Sequence, residues 1–144
     1  AKFDEIFVEC FGPTAMVVTY AGDGDLLDVA RALDGQLTAT LVAEEDDAIV
    51  GPLANILTRK AGRILWNQWP TGVSVTFAQQ HGGPYPASTA GGTTSVGTAA
   101  LNRFVRPVAW QGFPQRLLPG ELRDNQTVPA PRRVDGVLQI GDNR

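Results

Sequence analysis

An α/β fold built on a parallel β-α-β-α-β sheet is the class that this sequence predicts, on three observations. Short runs of apolar and β-branched residues alternate with segments whose apolar positions recur every three or four residues. The connections between them have the length of crossover helices, which implies parallel strands joined by right-handed links. The 144 residues, 43% of them hydrophobic, are also enough for one packed domain by the usual range of roughly 100–200 residues.

Each element has its own signal. Thr14–Tyr20 is apolar and β-branched and reads as a buried strand. Gly22–Asp25 is a turn in which Asp23 or Asp25 can cap a helix, and Leu26 to Leu33 then follows helical spacing. Gly35 lies where a C′ glycine belongs. Leu37–Ala43 reads as a second buried strand. After the acidic run Glu44–Asp47, the residues Leu53, Ile56, Leu57 and Ala61 share one helix face. Pro52 suits the first helical position, Arg59 and Lys60 the last turn, and Gly62 the stop. Arg63–Asn67 completes the pattern as a third strand. Ligands of such sheets bind at the carboxyl ends of the strands, so a site is expected in the loop that leaves Asn67.

That loop is distinctive. Residues 70–97 contain nine Gly or Pro and one alternating patch, Val73–Phe77; long irregular loops inside compact domains are usually functional or disordered. Thr94 or Ser95 can cap a short helix through Leu101 and Phe104 that ends at Pro107, and Val108–Trp110 can form an edge strand. The stretch after Gln111 is rich in Pro and Arg and has no core of its own. It is expected to drape on the domain or on a partner subunit.

Charge is distributed unevenly. Residues 1–47 carry 11 acidic and 2 basic residues, a local −9; residues 59–144 carry 4 acidic and 10 basic residues, a local +6. The 39 residues from 64 to 102 contain no Asp, Glu, Lys or Arg, and His81 is their one histidine. The bounding residues are Arg63 and Arg103.

Several function classes recede. No apolar run reaches 18 residues, so no membrane-spanning segment is expected, and Ala1–Glu5 lacks the apolar core of a signal peptide. Cys10 is the only cysteine, which excludes an internal disulfide and a multi-cysteine metal site and fits a reducing, cytoplasmic compartment. The pI near 5.0 argues against nucleic acid as a partner, and Arg116, Arg123, Arg132 and Arg133 come without interleaved aromatics. The sole Met is Met16, so the chain reads as a processed product or a piece of something longer.

Candidate chemistry is sparse. Cys10, set among apolar residues, reads as an inert buried thiol rather than an activated nucleophile. His81 stands alone on a Gly-Gly-Pro loop, as a satisfied loop histidine or as the lining of a substrate pocket; no metal site is expected. Gly91–Gly97 has the composition of a phosphate loop but no Walker lysine and no preceding strand. Asp23-Gly24-Asp25 lacks the further ligands of a calcium loop. In Glu9-Cys10-Phe11-Gly12-Pro13 the carboxylate offers two acceptors suited to a vicinal diol and Phe11 offers an aromatic face, though Glu9 reads equally well as a surface residue at a strand entrance.

Those five residues resemble the Glu-x-Phe-Gly-Pro motif of the aldehyde dehydrogenase superfamily. The blocks Gly62–Val73, His81–Ala87, Thr94–Ala100 and Arg103–Val108 are similar to its 2,5-dioxovalerate dehydrogenase branch, and the resemblance runs over essentially the whole chain. It implies NADP- or NAD-dependent oxidation of a small aldehyde, 2,5-dioxovalerate, to the carboxylic acid. Glu9 would hold the nicotinamide ribose hydroxyls and Phe11 would pack near the nicotinamide. His81 and Gly82 would line the aldehyde tunnel, with Thr71–Gln80 forming the rest of its wall and Phe77 in contact. Residues 1–106 would be the C-terminal part of the catalytic domain, and 107–144 the oligomerisation strand and extended tail of a homo-oligomer, dimer or tetramer.

In that family the catalytic cysteine, its general base, the oxyanion asparagine and the cofactor domain all precede the motif, and Cys10 occupies the x position. No catalytic residue is therefore assigned here. The expectation is a C-terminal fragment, roughly the last third of a dehydrogenase, that oxidises no aldehyde by itself. The alternative is a stand-alone, non-catalytic α/β binding or assembly module. An acidic substrate would need a cation, and the charge-free loop offers none beyond a protonated His81, so an Arg or Lys is expected from upstream or from another subunit.

Overall fold

The computed structural model of this protein describes residues 7, 9–125 and 130–140. Clustering of contacts divides the chain into two compact units, 1–106 and 107–144.

In the first unit the regular elements are α1 (Asp23–Ala32), β1 (Gln36–Leu41), α2 (Val50–Leu57) and β2 (Ala61–Trp66), followed by a 3-10 turn at Thr98–Arg103. β1 and β2 pair in parallel, with Gln36 opposite Ala61 and Leu41 opposite Trp66. The register is extended at both ends. Gln36 N–H donates to the Lys60 carbonyl at 2.7 Å, and Asn67 N–H donates to the Leu41 carbonyl at 2.8 Å. The Asn67 side-chain amide then exchanges two 2.9 Å hydrogen bonds with the Ala43 backbone. Asn67 holds φ at 47°, a conformation its short polar side chain tolerates, so it closes the carboxyl end of the ladder as a clip.

The sheet is thus an α/β pair of parallel strands, smaller than the three-strand pattern expected. Thr14–Tyr20 is exposed and forms no strand. Its β-branched composition favours extended backbone, but a strand also needs a ladder partner, and β1 pairs only with β2.

Core and caps differ from the simple reading in instructive ways. The buried cluster comprises Ala30 of α1, Leu41 of β1 and Leu53, Ile56 and Leu57 of α2, with Leu26, Ala39 and Ile64 packed against it. Both helices therefore cover one face of the sheet. α1 begins at Gly22 without a side-chain cap; Asp25 instead reaches back to accept from Ala21 N–H at 3.1 Å, and Asp23 and Asp25 complement the positive end of the dipole. Pro52 is the third residue of α2 rather than the first, a position still inside the first turn, where the helix makes no use of an N–H. Arg59 and Lys60 lie in the turn beyond the helix, and Ala61 belongs to β2.

Neither Gly35 nor Gly62 is a helix stop. Each is a place where a second backbone passes. A Cβ on Gly62 would lie 1.8 Å from the Gly82 carbonyl oxygen, one on Gly35 2.1 Å from the Pro84 oxygen, and one on Gly83 2.3 Å from the Gln36 oxygen. The 82–85 segment thus lies directly on the amino-terminal ends of β1 and β2.

In the second unit, Val108–Trp110 forms no edge strand; a strand there has no partner among the described residues. Trp110 and Phe113 pack edge to face at 4.9 Å. Arg123 binds the carbonyls of Leu118 and Arg116 at 2.9 and 3.1 Å. The antiparallel hairpin β3 (Arg132–Val134) and β4 (Val137–Gln139) turns at Asp135-Gly136, both at positive φ, the turn type that suits a two-residue hairpin.

Gly62→Ala is expected to destabilise the protein by about 3 kcal/mol or more, because the clash is with backbone and no rotamer relieves it. Gly51→Ala, where a Cβ meets nothing within 4 Å, should be neutral or stabilise by up to about 1 kcal/mol. Urea denaturation of both variants checks the contrast.

Candidate functional site

The glycine contacts position two clefts that share a wall. Segments 81–82 and 93–96 are stitched together by polar bonds. His81 N–H donates to Thr94 Oγ1 at 2.8 Å, and the His81 carbonyl accepts from both Ser95 N–H and Ser95 Oγ at 2.9 Å. Thr94 Oγ1 donates to the Val96 carbonyl at 2.6 Å, and the residue is only 2% exposed. Thr94 and Ser95 therefore do not cap a helix as expected. Their hydroxyls are used up holding the His81 strand of the loop, and the 3-10 turn starts after Gly97, without a side-chain cap. Gly97 itself, at φ 98°, meets the Thr76 carbonyl.

The first cleft, of about 360 Å³, lies between these segments and the 86–89 turn. Among the described residues its polar lining consists of His81, Ser88, Thr89, Thr93, Ser95 and Arg103, with no carboxylate. The second cleft is lined by Phe7, Glu9, Asp34, Gln36 and Thr38, with Gly35 between them. Leu37, Pro86 and Ala87 border both clefts. One face of this wall is cationic and rich in hydroxyls; the other carries two carboxylates.

The expected site residues distribute as follows. His81 and Gly82 line the first cleft and Glu9 the second. Phe11 is 96% exposed and Phe77 is 81% exposed, and neither borders either cleft. The clefts form at the amino-terminal ends of the strands, beside Gln36 and Leu37, instead of the carboxyl ends where doubly wound sheets hold ligands. The reason is geometric: after Asn67 the chain returns past the sheet, and Gly62 and Gly83 let it settle against the strand starts. Cys10 is exposed rather than buried, with its Sγ 3.7 Å from Thr14 Oγ1; the segment around it has no second layer to cover it.

Arg103 belongs to a matching block, Arg103–Val108, but receives no site role from the sequence. It lies one residue beyond the charge-free stretch, and the 3-10 turn brings it to the cleft of His81. The charge-free stretch is thus flanked, at this cleft, by a cation of the chain itself. Its position at the edge of the stretch was the available signal.

On the other face of the sheet, Thr40 Oγ1 and Arg63 Nε are buried without hydrogen-bond partners among the described residues. Arg63 places one Nη on the Thr71 carbonyl at 3.1 Å.

No family model matches the chain. Two curated proteins are similar to it over most of its length. It is 48% identical over 131 residues, 90% of the chain, to the alpha-ketoglutaric semialdehyde dehydrogenase of Acinetobacter baylyi. It is 46% identical over 129 residues, 89% of the chain, to the alpha-ketoglutaric semialdehyde dehydrogenase 2 of Azospirillum brasilense. The chain spans about a quarter of the length of each relative, 25% in both cases.

Thr94→Val keeps the shape of the side chain but leaves the His81 N–H without its acceptor. It is expected to cost about 1–3 kcal/mol in chemical unfolding, against at most about 1 kcal/mol for Ser95→Ala, whose His81 carbonyl keeps its backbone donor.

Proposed function

The chain belongs to the aldehyde dehydrogenase family, and from that premise we propose that it works within a longer NADP- or NAD-dependent dehydrogenase. There it supplies residues that hold the nicotinamide ribose and line the path of a small acidic aldehyde, 2,5-dioxovalerate. The observation that carries this reading is the 48% identity to an alpha-ketoglutaric semialdehyde dehydrogenase across nine-tenths of the chain. A stand-alone binding module has no comparable support.

The residues of this chain suit one end of the cofactor. Glu9 is exposed at the rim of its cleft, and its carboxylate can accept hydrogen bonds from both hydroxyls of a ribose. The adjacent Asp34 makes that cleft acidic, favourable for hydroxyl donors and unfavourable for phosphates. The ribose end fits, then, and the pyrophosphate does not. The exposed ring of Phe11 stands two residues from Glu9 and offers a flat apolar face to the nicotinamide. When bound, the nicotinamide would accept the hydride that the aldehyde carbon gives up.

On the other face, Gly82 and His81 would border the aldehyde, within reach of the same Leu37–Pro86–Ala87 wall. Phe77, outside both clefts here, would complete the tunnel from the Thr71–Gln80 segment. Freedom from carboxylates around this cleft prevents repulsion of an acidic substrate. No residue of the chain is assigned as nucleophile or general base. Residues 1–106 belong to the catalytic domain in this reading, residues 107–144 join subunits of a homo-oligomer, and the enzyme works in the cytoplasm.

Full-length protein mixed with 2,5-dioxovalerate and NADP or NAD should develop the absorbance of the reduced nicotinamide, and the 144-residue chain alone should not. Turnover by the chain alone would sink the reading. In the full-length enzyme, Glu9→Ala should lower kcat/KM for the cofactor by roughly 10- to 100-fold, the worth of hydrogen bonds to a charged acceptor; unchanged kinetics would remove Glu9 from the site.

A further inference from the structure

The geometry points to a carboxylate-binding subsite in the His81–Arg103 cleft, with Arg103 as the residue that pairs with the acid group of a small ligand. This rests on the proposed dehydrogenase reading for its substrate, an acidic semialdehyde, but the cleft itself is argued from its own groups.

Four observations converge. The cleft holds about 360 Å³, near the small end of the ligand-pocket range of roughly 300–1,000 Å³. Among the described residues it is lined by one guanidinium, one imidazole and four hydroxyl-bearing side chains, and no carboxylate competes for them. The Arg103 guanidinium, the His81 ring and the Thr89 hydroxyl make no hydrogen bond or ion pair among the described residues. Arg103 and Thr89 are exposed and His81 is half-buried, so these donors border one concavity and are free to meet an acceptor from outside.

The fourth observation is rigidity. The His81 backbone is held by Thr94 and Ser95, and Gly82 is pressed on Gly62, so the backbone that carries the imidazole is fixed before a ligand arrives. Preorganisation of this kind lowers the ordering cost of binding.

A planar guanidinium matches a carboxylate in a two-bond fork. The hydroxyls of Ser88 and Thr89 can serve the polar groups along a short acid, and Leu37 and Ala87 supply apolar contact for its methylenes. Phosphate is less well served: Gly91–Gly97 runs as turns and bends with no helix opening from a strand behind it, so the helix N-terminal donors of a phosphate loop are missing.

The full-length protein with Arg103→Gln and Arg103→Lys tests the proposal. The readouts are KM for 5-oxopentanoate against KM for pentanal, which differ in the acid group, and glutarate affinity by calorimetry. Arg103→Gln is expected to raise the ratio of the two KM values, and the glutarate Kd, by roughly 10- to 100-fold, with Arg103→Lys recovering part of each. Equal shifts for both aldehydes, or a glutarate Kd unchanged in Arg103→Gln, would overturn the subsite. If the unaltered protein oxidises neither aldehyde yet binds glutarate through Arg103, the dehydrogenase reading fails and the subsite stands.

Discussion

Backbone laid on backbone at three glycines is the constraint on which this structure depends. Gly35, Gly62 and Gly83 each occupy a position where even one methyl group would overlap a carbonyl oxygen. Together they let the 82–85 segment lie on the starts of two parallel strands. Such close approach is open only to a residue without a Cβ. Hydrophobic burial then holds the helices on one face of the sheet, while these contacts hold the loop that carries the chemistry.

The chemical consequence is a thin partition. A short stretch, Leu37 with Pro86 and Ala87, borders an acidic cleft on one side and a cationic, hydroxyl-rich one on the other. The acidic cleft suits hydroxyl donors and the cationic one suits an anion, and the apolar side chains between them keep the two sets of charges apart. The absence of charged residues from 64 to 102 acquires a physical sense here. Those residues form the stitched walls, and the cation enters at the boundary, on Arg103.

Much of the fold was legible beforehand, for reasons that can be named. β1, α2 and β2 announced themselves through periodicity, and their core residues Leu41, Leu53, Ile56 and Leu57 are those whose spacing required burial. The Thr14–Tyr20 strand failed because composition specifies an extended backbone and says nothing about whether a neighbour is there to pair with it. Gly35 and Gly62 were misread because a glycine signals freedom from a Cβ, and several different geometries use that freedom. The Asp135-Gly136 hairpin carried a standard turn signal that was lost inside a stretch dominated by Pro and Arg.

The site divides along the same line. Local chemistry and the matching blocks nominate Glu9, Phe11, Phe77, His81 and Gly82 from the sequence by itself, because a motif is written in consecutive residues, and three of the five border a cleft. The family was also legible there. Only the tertiary structure decided that His81 and Arg103 share a cleft, that Glu9 borders the opposite one, and that both lie at the amino-terminal ends of the strands. Those facts depend on where a long loop comes to rest, and that is decided by contacts between residues such as Gly62 and Gly82, 20 positions apart in the chain, which no local pattern encodes.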